Sequence, residues 1–163
     1  MTPAKPFPVL FLCTGNSVRS IFGEFLLRQL GQGAFDTRSA GLHPRAAIHP
    51  CTLRVLREVY AIDASAARSK SLDVFRGQTF DFVITVCDQA QESCPIWPGR
   101  TVVAHWNFPD PASFQGNENE TFAHFKKVAD QIHRRAARMC SLPLVSWDRE
   151  QRKHALQEIA GVE

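Results

Sequence analysis

The chain has 163 residues, 44% hydrophobic and 21% charged. That is the make-up of one ordinary globular domain able to bury a core without disulfide or metal staples, and it excludes a disordered or collagen-like polypeptide. Nineteen basic against sixteen acidic side chains leave a formal charge of +3, too small to point to nucleic acid.

The first apolar run, Val9-Leu10-Phe11-Leu12-Cys13, is five residues long. A membrane span needs about 20, and the polar stretch Gly15-Asn16-Ser17-Val18-Arg19 rules out a signal peptide. Residues 8–13 read as a fully buried strand. Val18, Ile21, Phe22, Phe25, Leu26 and Leu30 then recur at helical spacing until Gly31 and Gly33. A second strand is expected over 34–40, closed by Gly41 and Pro44. Pro50 opens a helix carrying Leu53, Leu56, Val59 and Tyr60. Residues 81–86 and 101–104 read as two more strands. Phe108 to Glu120 reads as a long loop, and Phe122 to Met139 as a long amphipathic helix. A last helix is expected over about 147–160.

Strands alternating with helices mean βαβ units and a parallel sheet, with ligands bound beyond the carboxyl ends of the strands. The expectation is one domain over 1–163, its core about 8–140. Five cysteines, an odd count, with no visible export signal, suggest free thiols in a reducing, cytoplasmic setting.

A cysteine six positions before an arginine can wrap a tetrahedral oxyanion. Backbone amides point inward, and the guanidinium offers a planar two-toothed fork. The spacing occurs three times here: Cys13 to Arg19, Cys51 to Arg57 and Cys94 to Arg100. The Cys51 match lies in a helical pattern with no glycine, and a regular helix cannot curl its amides around an anion. The Cys94 match contains two prolines, which lack amide protons, and leads into a strand. Only Cys13 fits strand, glycine turn, helix. It is the candidate nucleophile, with a pKa expected below the free value because a helix N-terminus and Arg19 lie nearby. Thr14, Gly15, Asn16, Ser17, Val18, Arg19 and Ser20 are the candidate oxyanion-binding loop.

A general acid would be needed for a departing oxygen. Asp110, between Pro109 and Pro111, is placed for that role, although spacing alone reads it as a turn aspartate. Spacing alone likewise leaves Cys87 and Cys94 as structural thiols. A zinc site with His105 is excluded, since six intervening residues is not a chelate spacing. Cys51 and Cys140 read as core thiols, and His105 and Trp106 as packing residues.

The run Val9 to Ser20, the triplet Ser39-Ala40-Gly41 and the late Asp110-Pro111 together resemble the low-molecular-weight tyrosine phosphatase superfamily. The similarity is greater to the thioredoxin-coupled arsenate reductases built on that fold, and extends over about residues 8–140. It implies an α/β single-domain three-layer sandwich, a four-stranded parallel sheet with helices on both faces. It also implies Cys13 as nucleophile, Arg19 as oxyanion ligand and Asp110 as acid. The phosphatases carry a tyrosine after the Asp-Pro pair where this chain has Ala112. The reductases carry two further cysteines six residues apart, matched by Cys87 and Cys94.

The resemblance implies a relay. Cys13 attacks arsenic, Cys87 attacks Cys13 and expels arsenite, and Cys94 moves the disulfide to Cys87–Cys94. No cofactor or metal is implied beyond an external thiol reductant: thioredoxin first, with glutaredoxin and glutathione as alternatives. Val18 stands where many reductases have another, non-relay cysteine. Some relatives hold potassium with an Asn, a Glu, a Ser and an acid. Asn16, Glu24 and Ser39 match three of these, and Lys70 replaces the acid, so Lys70 is expected to reach toward Asn16, Glu24 or Ser39 in the cation's place. The expected function is arsenate reduction. The alternatives are a phosphomonoester phosphatase and a non-catalytic oxyanion-binding regulator.

Overall fold

The structure, a computed structural model, describes residues 5–97 and 99–162; the second proline of the Cys94 match, at position 98, lies outside them. The strands are β1 (Phe7–Cys13), β2 (Phe35–Gly41), β3 (Phe82–Thr85) and β4 (Val102–His105). The helices are α1 (Arg19–Gly31), α2 (Pro50–Tyr60), α3 (Asp88–Glu92), α4 (Glu118–Cys140) and α5 (Arg149–Ile159). The strands pair in the order β2-β1-β3-β4, all parallel.

Successive strand residues face opposite sides of a sheet. Val9, Leu10, Phe11 and Leu12 are all fully buried, as are Phe82, Val83 and Ile84. Both faces of the two central strands are therefore covered, giving the three layers of an α/β sandwich. The sheet order reverses direction between β1 and β3, and the carboxyl ends of strands at such a switch point form a crevice. Register places Leu12 beside Thr85 and Cys13 beside Gly41, so the chain leaves three strands at one edge of that crevice.

Two contacts hold the layers close to the site. Gly23 of α1 lies against the Phe11 ring of β1; a Cβ there would stand 2.5 Å from a ring carbon. The absent side chain lets α1, which follows directly on the candidate loop, approach the sheet. Across α2 and α4, the Tyr60 hydroxyl donates to Asp130, and Tyr60 stacks on His133 with ring centroids 5.1 Å apart.

The structure differs from the sequence expectation in three places. A short helix, α3, separates Cys87 from Cys94; five residues are too few to show a period. The segment read as a loop to Glu120 contains a 3-10 turn at Pro111–Ser113, and α4 begins at Glu118. Its start is set by a capping box, with Asn117 Oδ1 accepting from the Glu120 amide and Glu120 Oε1 from the Asn117 amide. Cys51 and Cys140 are half-buried at helix ends rather than in the core. Among the described residues no helix is long and apolar enough to cross a membrane.

Replacing Gly23 with Ala should lower the urea midpoint by the equivalent of about 1–3 kcal/mol, the range for overpacking a tight interface. An unchanged midpoint would show that α1 can shift away from Phe11 without loss.

Candidate active site

Residues 13–19 form a loop whose carbonyls turn outward and are taken by neighbouring segments. Cys13 O accepts from Leu42 N, Thr14 O from His43 N and Gly15 O from Arg45 N. Ser17 O accepts from His49 N and from the Thr52 hydroxyl. The Ser69 hydroxyl adds a second bond to Gly15 O. Peptide units so oriented aim amide groups into the cleft, a nest suited to an anion. Asn16 makes the curl possible by adopting a left-handed backbone, φ 46°, which asparagine tolerates better than most residues.

The Cys13 thiol lies at the floor of a cleft of about 320 Å³ lined by the loop together with His43, Arg45, Gln89, Asp110 and Ala112. The Asn16 amide donates to Cys13 Sγ at 3.2 Å, and Ser20 Oγ lies 2.9 Å from the sulfur. Because Asn16 Nδ2 already donates to Ser20 Oγ at 2.9 Å, the serine's own proton is available to the sulfur. Arg19 donates to Phe108 O at 3.1 Å, and its guanidinium is 3.9 Å from Asp110 Oδ2. Asp110 caps the Pro111–Ser113 turn through the Ala112 amide. Arg19 thus ties the loop to the segment that carries the candidate acid.

Cys87 follows β3 at the next strand end. Its sulfur is 3.4 Å from Thr14 Oγ1, so a second thiol from a distant part of the sequence adjoins the loop that begins at Cys13. Cys94 lies beyond α3 in a separate cavity with Thr85, Gln91 and His105. His105 bonds Thr85 Oγ1 through Nδ1 and Asp88 through Nε2, which gives it more than a packing role. Trp106 is fully buried, and its indole donates to Leu156 O on α5.

Behind the loop, Glu24 is buried. One carboxylate oxygen pairs with Arg28 at 2.6 Å, and the other accepts from the Ser39 hydroxyl. Lys70 Nζ is 3.4 Å from Ser39 Oγ and 3.8 Å from Glu24 Oε1. The Lys70 amide donates to Asn16 Oδ1 at 2.9 Å. A continuous path runs from Lys70 through Asn16 and Ser20 to the Cys13 sulfur.

The profile of the low molecular weight phosphotyrosine protein phosphatases matches residues 8–153. The chain belongs to that family. Within it, an arsenate reductase of Halalkalibacterium halodurans is 35% identical over 127 residues, 78% of this chain and 90% of the relative. A solved arsenate reductase in the phosphate binding state superposes with a TM-score of 0.66 at 26% identity, covering 83% of this chain and 97% of that one. A thioredoxin-dependent arsenate reductase of Corynebacterium glutamicum superposes with a TM-score of 0.57 at 29% identity, covering 82% of this chain and 64% of that one.

One expectation for this family member is corrected. Burial pushes the Cys13 thiol above its ordinary value, where a depressed pKa was expected. The Ser20 hydroxyl and the Asn16 and Ser20 amides pull it down, but desolvation of a thiolate at the cleft floor outweighs them. The neighbouring Cys87 adds to the rise. The sequence reading also missed His43, Arg45 and Gln89 as cleft walls. The usable signal was topological: residues following β2 and β3 sit at the same carboxyl edge as the loop.

The rate of Cys13 alkylation by iodoacetamide should rise with pH through a midpoint above the free-cysteine value of about 8.5. Ser20→Ala removes a stabiliser of the thiolate and should move the midpoint further up. A native midpoint below the free value, read by mass spectrometry of the Cys13 peptide, would show that burial is not dominant.

Proposed function

We propose that the chain is a thiol-dependent arsenate reductase. The observation that carries this reading is a second thiol, Cys87, which the adjacent strand delivers beside the Cys13 loop, 3.4 Å from Thr14 Oγ1; hydrolysis of a phosphate ester has no use for it. The reading is supported by the family's arsenate reductases, which the chain matches over most of its length and most of theirs.

Arsenate is a tetrahedral oxyanion, and the inward amides of residues 14–19 with Arg19 hold it. The Cys13 proton passes to the bound anion, so a thiol and a dianion become a thiolate and a monoanion at unchanged total charge. The thiolate attacks arsenic, and the departing oxygen leaves as water on taking a proton from Asp110. Cys87 then attacks Cys13 Sγ, its thiol proton passing to an arsenic-bound oxygen. The sulfur–arsenic bond breaks with its electron pair passing to arsenic, which is released as arsenite. Two thiols have lost two electrons and As(V) has become As(III), leaving a Cys13–Cys87 disulfide. Cys94 attacks Cys87, and Cys13 departs as a thiolate.

That last exchange needs a local rearrangement. α3 stands between the two cysteines, and Cys94 lies in a cavity apart from the Cys13 cleft; a change in α3 would bring the Cys94 Cα within the roughly 7 Å that a disulfide spans. Five residues make a marginal helix, so the change is inexpensive. The resulting Cys87–Cys94 disulfide is the substrate of an external dithiol such as thioredoxin, the reductant named for one relative.

The purified protein should release arsenite with thioredoxin, thioredoxin reductase and NADPH. Cys13→Ser and Cys87→Ser should abolish turnover, and Cys94→Ser should stop after one turnover as a Cys13–Cys87 disulfide. Native rates in both Cys87→Ser and Cys94→Ser would refute the relay. Activity supported by glutaredoxin and glutathione in place of thioredoxin would reassign the reductant.

The residues around Glu24 do not fit a free potassium ion, since the Lys70 ammonium already lies against Glu24 and Ser39. We assign the Lys70 ammonium as a tethered cation that balances Glu24, while the backbone amide of the same residue braces Asn16. Activity should be equal in potassium and sodium at matched ionic strength. Lys70→Asp, a change of two charge units, should create potassium activation. Equal potassium activation of the native protein would overturn the assignment.

A further inference from the structure

A second guanidinium stands at the cleft, and nothing in the reaction above uses it. Arg45 follows β2, and its amide is fixed to the loop by donation to Gly15 O at 2.9 Å. Its side chain then crosses Gly15 itself: a Cβ built on Gly15 would stand 3.2 Å from Arg45 Cγ and 3.2 Å from Arg45 Nε. The glycine therefore serves a close approach, and the arginine stem lies along the rim of the cradle.

Arg45 lines the cleft that holds Cys13, Arg19 and Asp110. It also lines a neighbouring cavity of about 400 Å³ that shares Ser17 and Ala112 with that cleft. It stands on the divide between them, where the methyl of Ala112 leaves the gap open. Its charge is felt across the mouth. Burial, and after it Arg45, hold His49 below its ordinary pKa, while Asp110 acts in the opposite direction.

The two arginines of the cleft differ in one respect. Arg19 is already engaged with Phe108 O and Asp110. Among the described residues no carboxylate lies within ion-pair distance of the Arg45 guanidinium. An arginine anchored by its backbone to an anion-binding loop, exposed at the mouth and unpaired, has its donors available to what enters.

We propose that Arg45 is a substrate-binding residue that closes over the outer oxygens of a tetrahedral inorganic dianion seated in the 13–19 loop. The amides and Arg19 hold the inner oxygens, and Arg45 supplies the second cation of a dianion's pair. The stem swings over Gly15 to admit the anion and to release arsenite, which is uncharged at neutral pH and gains nothing from the guanidinium. Arg45 so favours binding of the charged substrate over retention of the neutral product. The assignment rests on reading the loop as an oxyanion cradle and does not require the disulfide relay.

The test uses inorganic phosphate as the probe. Cys13 alkylation by iodoacetamide is followed by mass spectrometry at rising phosphate, each variant scaled to its own rate without phosphate. In Arg45→Gln the concentration giving half-protection should rise about tenfold, the worth of one charge-assisted hydrogen bond at an open site. Arg45→Lys should recover part of the loss, and Arg57→Gln, an exposed arginine on α2, should match the native protein. With arsenate, KM should rise by the same factor while kcat stays within about twofold, the signature of lost uniform binding. Half-protection unchanged in Arg45→Gln overturns the inference, whatever the turnover. Weakened protection in a protein that releases no arsenite supports the inference and refutes the proposed reaction.

Discussion

The site depends on where the peptide carbonyls of residues 13–18 point. A loop that offers amide groups to an anion must turn its carbonyls the other way, and a buried carbonyl without a donor is costly. Here the donors come from residues 42–52 and from Ser69, segments that follow β2 and precede β3. The cradle is therefore not a property of seven residues. It exists because a parallel sheet brings other strand exits to the same edge, where their backbones can satisfy what the loop discards.

That dependence explains how much of the molecule could be read in advance. The buried strand at residues 8–13, the glycine turn and the helix after it are local, and their periodicity and spacing singled out, among three cysteines with the same motif, the one that the structure places in the cleft. The parallel sheet followed from the alternation of elements. That Cys87 comes to lie beside the Cys13 loop is a matter of strand order, which spacing does not carry; the family resemblance supplied it. The protonation of Cys13 was misread for a related reason. Proximity to a helix end and to an arginine is visible in a sequence, but the depth of burial is a tertiary fact.

Charge is arranged in two shells around the sulfur. Behind the loop, the Glu24 carboxylate sits between Arg28 and Lys70 and accepts from Ser39, and the Lys70 backbone amide holds the loop through Asn16. Burial lowers the Lys70 pKa and Glu24 opposes that shift, so the ammonium is held by its partner rather than by solvent. In front, Arg19 and Asp110 link the cradle to the turn at Pro111–Ser113. The floor itself carries no ionised group while the thiol keeps its proton, which makes it tolerant of a doubly negative guest.

The buried, proton-bearing state of Cys13 also bears on what happens between turnovers. Peroxide attacks thiolates, and further oxidation beyond the sulfenic acid to sulfinic and sulfonic acids is largely irreversible. Burial disfavours the thiolate and so slows that attack between turnovers, and a seated oxyanion would screen the sulfur during them. Resistance to collateral oxidation then follows from the same desolvation that raises its pKa.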